Sequence, residues 1–591
     1  MAKSIGKKAP DKHIDKPKNF KKTLVMLFKN LRGYWLQIIF GLVCAGISTV
    51  LSIVGPDQLQ KIGSYLLGTP INFDGVTKVA IGLLIIYACS FLFSFLQSFI
   101  MSGVTARISR DFRQKLSEKI NRLPLKYLDS TAYGDVLSRV TNDVDLLSET
   151  LNSTLSAIIS CIAIVVGSVI MMLSYSVKLT LIAVCVLPVS FLVVSLMFKA
   201  GQKYFKMQQD ALGDINGHIE EIYAGHNVIS IYNAEDDALE KFDEINNRLC
   251  SSSFKGNLLS GLMHPIMNFF GNLGYALIII IGGIMSLNNI AFIPVVVAFV
   301  SYYKMFNHQI GQIANISSTL QTTLASSERI FEFLTEPEQE DESHKKLKLK
   351  ETKGNVEFKN VNFGYTPAKQ ILFDVNMKVK GGQKIAVVGS TGAGKTTLVN
   401  LLMRFYEVNS GEILIDGVNI ADLKRENVRQ LFGMVLQDTW LFEGTIKENI
   451  AYGNTKVKDE EIIEVCKQAG IHHLIKSQPN GYNMVITEDS NFSAGEKQLI
   501  TIARAMLQNA PMLILDEATS SVDTRTEVLI QKAMDKLMKN RTSFIIAHRL
   551  STIINADKII VMKDGQVVET GKHEELLELN GVYAGLYKAQ F

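Results

Sequence analysis

Apolar positions along this chain follow two regimes. In the first half they form long runs, near 34–54, 78–100, 153–174, 177–199, 260–286 and 288–309. Each is close to the roughly 20 residues that a helix needs to cross about 30 Å of hydrocarbon, so six spans are expected. The pairs 153–174/177–199 and 260–286/288–309 are separated only by "SYSVK" and "SLNNIA" and read as tight hairpins. Long polar stretches, about 101–152 and 200–259, lie between them. These are not ordinary loops. "VTARISRDFRQKLSEKI" keeps apolar residues at three-to-four spacing, which predicts helices running on past the lipid and turning at "NRLPLKYLDS". "GDINGHIEEIYAGHNVISIYNAEDDALEKFDEI" reads as helix, short break, helix. From about 351 the regime changes: short apolar runs alternate with helical patterns and turn signals, as an α/β domain requires.

Composition supports this division. A mean hydropathy of +0.17 over 591 residues points to lipid-embedded segments rather than one large soluble core of buried helices. Net charge is +4, too small to argue for a nucleic-acid partner, and none is expected. The placement of charge says more. Nine lysines precede the first span, and the long polar stretches and their borders carry Arg107, Arg110, Arg113, Lys115, Arg122, Lys199, Lys203 and Lys206. The two short turns carry only Lys178, so the tail and the long stretches are expected on the cytoplasmic side. The tail lacks the short apolar region and cleavage site of a secretory signal. Six cysteines show no CxxC pair, and neither a disulfide nor a metal role is expected of them. Polar residues inside the spans are few: His264, Asn268, Asn272 and His308 either line a cavity or bond between helices. The expected domains are a basic cytosolic tail 1–33, a transmembrane domain 34–330, an acidic-then-basic solvated linker 331–354, and a nucleotide-binding domain 355–591.

The chemistry lies in the last of these. Gly389-Ser390-Thr391-Gly392-Ala393-Gly394-Lys395-Thr396 fits GxxxxGK[ST], follows the strand-like "KIAVV" and opens the helix-like "TLVNLLMRFY", the context that the phosphate-binding loop needs. Its glycines let backbone N–H groups wrap phosphates at a helix N-terminus. Lys395 is expected to meet the β- and γ-phosphates and Thr396 to hold Mg²⁺, with Thr397 beside them. "MLILDEATSSVD" ends a strand in Asp516, suited to a water on Mg²⁺, and Glu517, suited to polarising the attacking water. "FIIAHRL" ends another in His548, which can donate to the γ-phosphate and orient Glu517. The predicted fold is an all-α six-helix transmembrane domain with long cytosolic helical extensions, followed by an α/β P-loop domain.

In order and spacing these residues resemble the ATP-binding cassette transporters, over nearly the whole chain after the tail. The chain looks like an exporter-type half-transporter, similar to a subunit of bacterial heterodimeric multidrug exporters. The resemblance implies an ATPase in the cell membrane, multi-pass, with both termini cytoplasmic. It also implies that Tyr365 stacks on adenine, that Gln437 joins Mg²⁺, that Thr487-Glu488 touches the partner's helices, and that Ser521-Val522-Asp523 forms a dimer-contact loop. In such proteins each ATP lies between one subunit's P-loop and the other's LSGGQ signature. Here the signature is Phe492-Ser493-Ala494-Gly495-Glu496. Ser493 and Gly495 are kept, Ala494 replaces glycine, and Glu496 places a carboxylate near a triphosphate, which should weaken that contact. The expected arrangement is a heterodimer with unequal ATP sites, exporting small amphipathic drugs or lipid-like molecules. A homodimeric exporter of lipid or peptide, an importer, and an ATP-gated channel or regulator are the alternatives.

Overall fold

The computed structural model describes residues 19–590 apart from 68–70, 289, 350, 438, 455, 488–489, 491, 517–522 and 547–552. It divides into two compact units, one holding the long helices, the other made of Arg122–Ala132 with Pro337–Phe591.

The first unit is helical. After a short helix Phe20–Asn30 in the basic tail come α1 (Trp35–Leu67), α2 (Phe73–Arg122), α3 (Val144–Tyr175), α4 (Val177–Ala224), α5 (Glu235–Asn288) and α6 (Ile293–Thr335). Among the described residues, five helical stretches are long and apolar enough to cross a membrane. α4 opens with a shorter apolar stretch, Val177–Val186, before positions whose side chains lie outside the described ones. The 50 residues of α2 extend about 75 Å, far more than the bilayer core, so this helix runs on beyond the lipid as its sequence predicts. The α3–α4 turn is a single residue, Ser176, whose hydroxyl accepts from the Leu179 N–H. Exposed apolar side chains crowd the spans: Leu84 is 69% exposed and Phe91 72%, and Phe91, Phe95 and Phe99 stack in a ladder along α2. A water-soluble core would bury such a stripe; a bilayer covers it.

Within this unit α1 packs on α3 and α6, α3 along α6, and α4 along α5. Pro56 interrupts the hydrogen-bond ladder of α1, and the Tyr302 hydroxyl of α6 donates to the neighbouring Ile53 carbonyl at 2.9 Å. The Tyr175 hydroxyl, from the end of α3, donates to Asp57 at 2.6 Å, and Lys61 pairs with the same carboxylate. Just before α3, buried Asp143 accepts two bonds from Arg329 of α6. Glycines let α5 and α6 approach closely: a methyl added at Gly271 would meet Asn307, at Gly274 Tyr303, and at Gly282 Val296.

The second unit carries the strands β1 (Val356–Phe363), β2 (Leu372–Val379), β3 (Lys384–Gly389), β4 (Ser410–Ile415), β5 (Val418–Asn419), β6 (Phe432–Val435), β7 (Gly444–Thr445), β8 (Val485–Ile486), β9 (Met512–Asp516), β10 (Thr542–Ile546), β11 (Lys558–Lys563) and β12 (Gln566–Gly571). Its main sheet runs β12-β11-β3-β10-β9-β6, parallel except for β12. Ile385 and Val387 of β3 face one apolar cluster, Ala386 and Val388 the other. A strand buried on both faces has no polar side, which is why "KIAVV" reads as an unbroken apolar run. A second, antiparallel sheet runs β2-β1-β4-β5. The short helix Leu125–Ser130 belongs to this unit: the Tyr406 hydroxyl donates to Asp129, and Gln339 donates to the carbonyls of Arg122 and Leu123.

The stretch expected as a solvated linker is not solvated at Glu342. That carboxylate is 9% exposed and accepts from Arg404 at 2.6 Å, from the Arg425 N–H at 2.6 Å and from Lys345 at 2.9 Å. The acidic-then-basic composition hid this because the partners lie elsewhere in the chain. Burial alone would raise the pKa of Glu342; the Arg425 N–H, Lys345 and the two guanidiniums overcome it and hold the carboxyl at about 2. A folded value below the ordinary one contributes stability above pH about 4.5 that is lost as pH falls towards 2, up to about 3 kcal/mol. Thermal unfolding of the protein followed across that window should show the loss, and Glu342→Gln should remove this share of the slope. An unchanged slope in the variant would contradict the clamp.

Candidate functional site

The parallel strands of the main sheet end in register. Val387 pairs with Ile546, Ile546 with Asp516, and Leu515 with Val435. The carboxyl ends of β3, β10, β9 and β6 therefore form one edge, the place where open α/β sheets bind ligands. From β3 the chain enters Gly389–Gly394 and then the helix α7 (Lys395–Leu402). From β9 it ends in Asp516, and two residues past β6 stands Gln437, with an exposed side chain. Glu517 and His548, which follow β9 and β10 in sequence, lie outside the described residues, as do Glu488, Ser521 and Val522.

The loop has the shape its glycines predict. Gly392 has φ +86° and Gly394 φ +102°, left-handed values that side chains disfavour. A methyl on Gly394 would also lie 2.7 Å from Leu372, whereas one on Gly392 would meet nothing within 4 Å, so Gly392 opens onto free space. Lys395 is 9% exposed, and its ammonium donates back to the loop carbonyls of Gly389 at 2.7 Å and Ser390 at 3.1 Å. Burial lowers the Lys395 pKa, and the Asp516 carboxylate partly opposes this. The loop thus holds a desolvated cation, backbone donors at a helix start and space for an anion, and it fits a nucleotide's phosphates. Ala393 is buried, while Ser390, Thr391 and Thr396 are exposed; Thr396 stands in the first turn of α7. Thr396, Gln437 and Asp516 supply the oxygen donors that suit Mg²⁺.

Thr397 is buried, with its hydroxyl 3.2 Å from that of Tyr365. Tyr365 is half-buried, flanked edge-on by Phe363 at 5.1 Å and Tyr406 at 4.9 Å. Ser493 caps the separate helix α8 (Ala494–Gln508). Its hydroxyl accepts the Glu496 N–H at 3.2 Å, and the Glu496 carboxylate accepts the Ser493 N–H at 2.8 Å. This is a reciprocal capping box, in which Glu and Gln serve alike. Gly495 is buried in the first turn of the same helix. Asp523 caps the following helix, α9 (Thr524–Met538), by accepting the N–H groups of Arg525 and Thr526.

Comparison with known proteins agrees with this arrangement. Residues 38–310 match the ABC transporter transmembrane region and residues 372–520 the ABC transporter family. The chain belongs to the ABC transporter family. It is similar to a fatty acid ABC transporter ATP-binding/permease protein of Mycobacterium bovis, 43% identical over 88% of this chain and 83% of that one. A putative multidrug export ATP-binding/permease protein of Bacillus subtilis is 38% identical over 82% and 84%. An ATP-dependent lipid A-core flippase of Syntrophus aciditrophicus is 34% identical over 88% and 86%. This ABC protein is an exporter-type half-transporter, a multi-pass membrane ATPase coupled to transport.

Of the charged residues in its spans, sequence reading passed over Lys304, although a lone lysine in "AFVSYYKMFNHQ" was visible. Lys395→Met removes a charge-assisted contact worth about 1.5–3 kcal/mol, so binding of a fluorescent ATP analogue should weaken about ten- to hundredfold. Affinity within twofold of the parent would refute the role given to this lysine.

Proposed function

We propose that this chain is one half of an ATP-driven exporter of amphipathic, lipid-like molecules, and that its partner is a second, non-identical half-transporter. Three relatives named for fatty acid, multidrug and lipid A-core substrates support the substrate class. The basic tail and long basic helical extensions support a cell-membrane orientation with both termini and the ATP domain in the cytoplasm.

The observation that carries the unequal pair is the capping box at Ser493. In the family resemblance the signature's serine and glycine N–H groups meet the γ-phosphate of the nucleotide held by the other subunit. Here the Ser493 N–H already donates to an anion, the Glu496 carboxylate. A triphosphate arriving opposite must displace a like charge or share its donor, which disfavours it more than a neutral Gln would. The chain's own P-loop is complete, so a partner with an intact signature would finish a competent site on it. The site facing Glu496 would hold nucleotide and turn over poorly.

In the competent site, Lys395 and the loop N–H groups bind and orient the phosphates, and Tyr365 takes the adenine side. Thr396 and Gln437 would hold Mg²⁺ directly and Asp516 through a water; the ion supplies neutralising charge on the phosphate oxygens. Glu517 orients the attacking water and takes its proton, and His548 holds Glu517 in place. Closure of paired ATP domains is stabilised by nucleotide shared between them and weakens on hydrolysis, which shifts the helices between two states by differential binding.

The deciding measurement is the intact mass of the tagged chain's complex taken from its native membrane. Two different half-transporter masses are expected; two copies of this chain with full ATPase activity would overturn the unequal pair. In the purified complex, Glu517→Gln should lower hydrolysis by about 100-fold or more while keeping nucleotide binding. Glu496→Gln should leave turnover nearly unchanged, whereas a large gain would place both working sites on this signature.

A further inference from the structure

Lys304 stands 11 positions into α6, about 16 Å from its start and near the middle of the apolar stretch Ile290–Ile313. An ionisable side chain at that depth is costly unless something meets it, and such residues mark ligand pathways by default. Its ammonium lies 4.7 Å from the centroid of the Tyr275 ring of α5. A ring face attracts a cation but accepts none of its hydrogens in the ordinary sense, and among the described residues no carboxylate pairs with Lys304. The side chain is exposed, lies over the ring and, among the described residues, has no counterion.

Beside it lies an open groove of about 670 Å³ between α5 and α6, within the range of small-ligand sites. Its α5 wall runs from Tyr275 to Leu287, about 18 Å of helix, towards the α5–α6 turn. The wall is apolar in effect: its serines, Ser286 and Ser301, donate to their own helix at the Gly282 and Val297 carbonyls. On the other side of Lys304 the helices turn polar, with exposed His308 of α6 and Asn268 and Asn272 of α5. The cation therefore sits between a long apolar groove and three exposed polar side chains.

We propose that this groove binds a single-chain amphiphile with one anionic headgroup, a long-chain carboxylate, with its head on Lys304 and its tail along α5 and α6 towards their turn. One ammonium without a neighbouring guanidinium matches a monoanion better than a dianionic phosphate. This rests on the export reading above and narrows its substrate class.

The test uses the whole complex in lipid nanodiscs and two photoreactive probes, palmitate and hexadecanol, each with a mid-chain diazirine. Palmitate should label residues between 275 and 301 in the parent and in Lys304→Arg. Labelling should fall about tenfold in Lys304→Gln, as expected for the loss of one charge-assisted contact. Hexadecanol should label weakly and equally in all three. Palmitate labelling that is undiminished in Lys304→Gln, that maps elsewhere, or that is absent because a partner helix fills the groove overturns the proposal. ATP-driven movement of amphiphile in proteoliposomes is measured alongside. If it fails while labelling holds, the export reading falls and the site stands; if it holds and labelling ignores Lys304, only the site falls.

Discussion

Hydrocarbon offers no partner to a peptide N–H or C=O, and the first unit is built around that constraint. A chain segment that enters the bilayer must close its own hydrogen bonds, so each span is a long helix. Beside Pro56, the Tyr302 hydroxyl of another helix donates to the Ile53 carbonyl. The one-residue turn at Ser176 is repaired by its own hydroxyl. Because a helix is cheaper to continue than to restart, α2 and α4 run on as rods of 50 and 48 residues. Much of the long polar stretches consists of the ends of these rods and of α5 that run on past the apolar spans.

The second unit answers a different demand, a polyanion that must be gripped by backbone. Parallel strands place their carboxyl ends on one edge, a glycine loop turns from β3 into α7, and a buried lysine donates back to its own loop. That ammonium is bonded to the carbonyls of Gly389 and Ser390. Its bonds to neutral carbonyls are weaker than those it would make to phosphate oxygens. The same logic, inverted, applies to α8, whose first turn already contains a carboxylate.

Sequence reading reached the spans, the helical extensions and the phosphate loop because their signals are local: run length, period and glycine spacing. It missed what depends on distant partners. Nothing near Glu342 in sequence announces Arg404 and Arg425, so a buried clamp looked like a solvated charge run. Glu496 looked like an intruder when compared with a signature pattern, although Ser-x-x-Glu is also a helix-start pattern and the structure uses it as one. Lys304 was legible and overlooked, a single charge within a hydrophobic segment whose ring partner lies 29 positions earlier on another helix. Glu517 and His548 stand outside the described residues, so their roles remain with the motif that suggested them.

The hydrogen bonds of the membrane unit are unevenly shared. Tyr302 and Tyr175 tie α1, α3 and α6 together through polar contacts, while α4 and α5 lie along one another. The join between α5 and α6 is made instead of glycines and the side chains that face them. Such a join works like a slide bearing: it resists compression, yet parting it breaks few directional bonds. A piston-like or rocking displacement of one helix set against the other would be taken up along this seam, and the groove beside it would change width first.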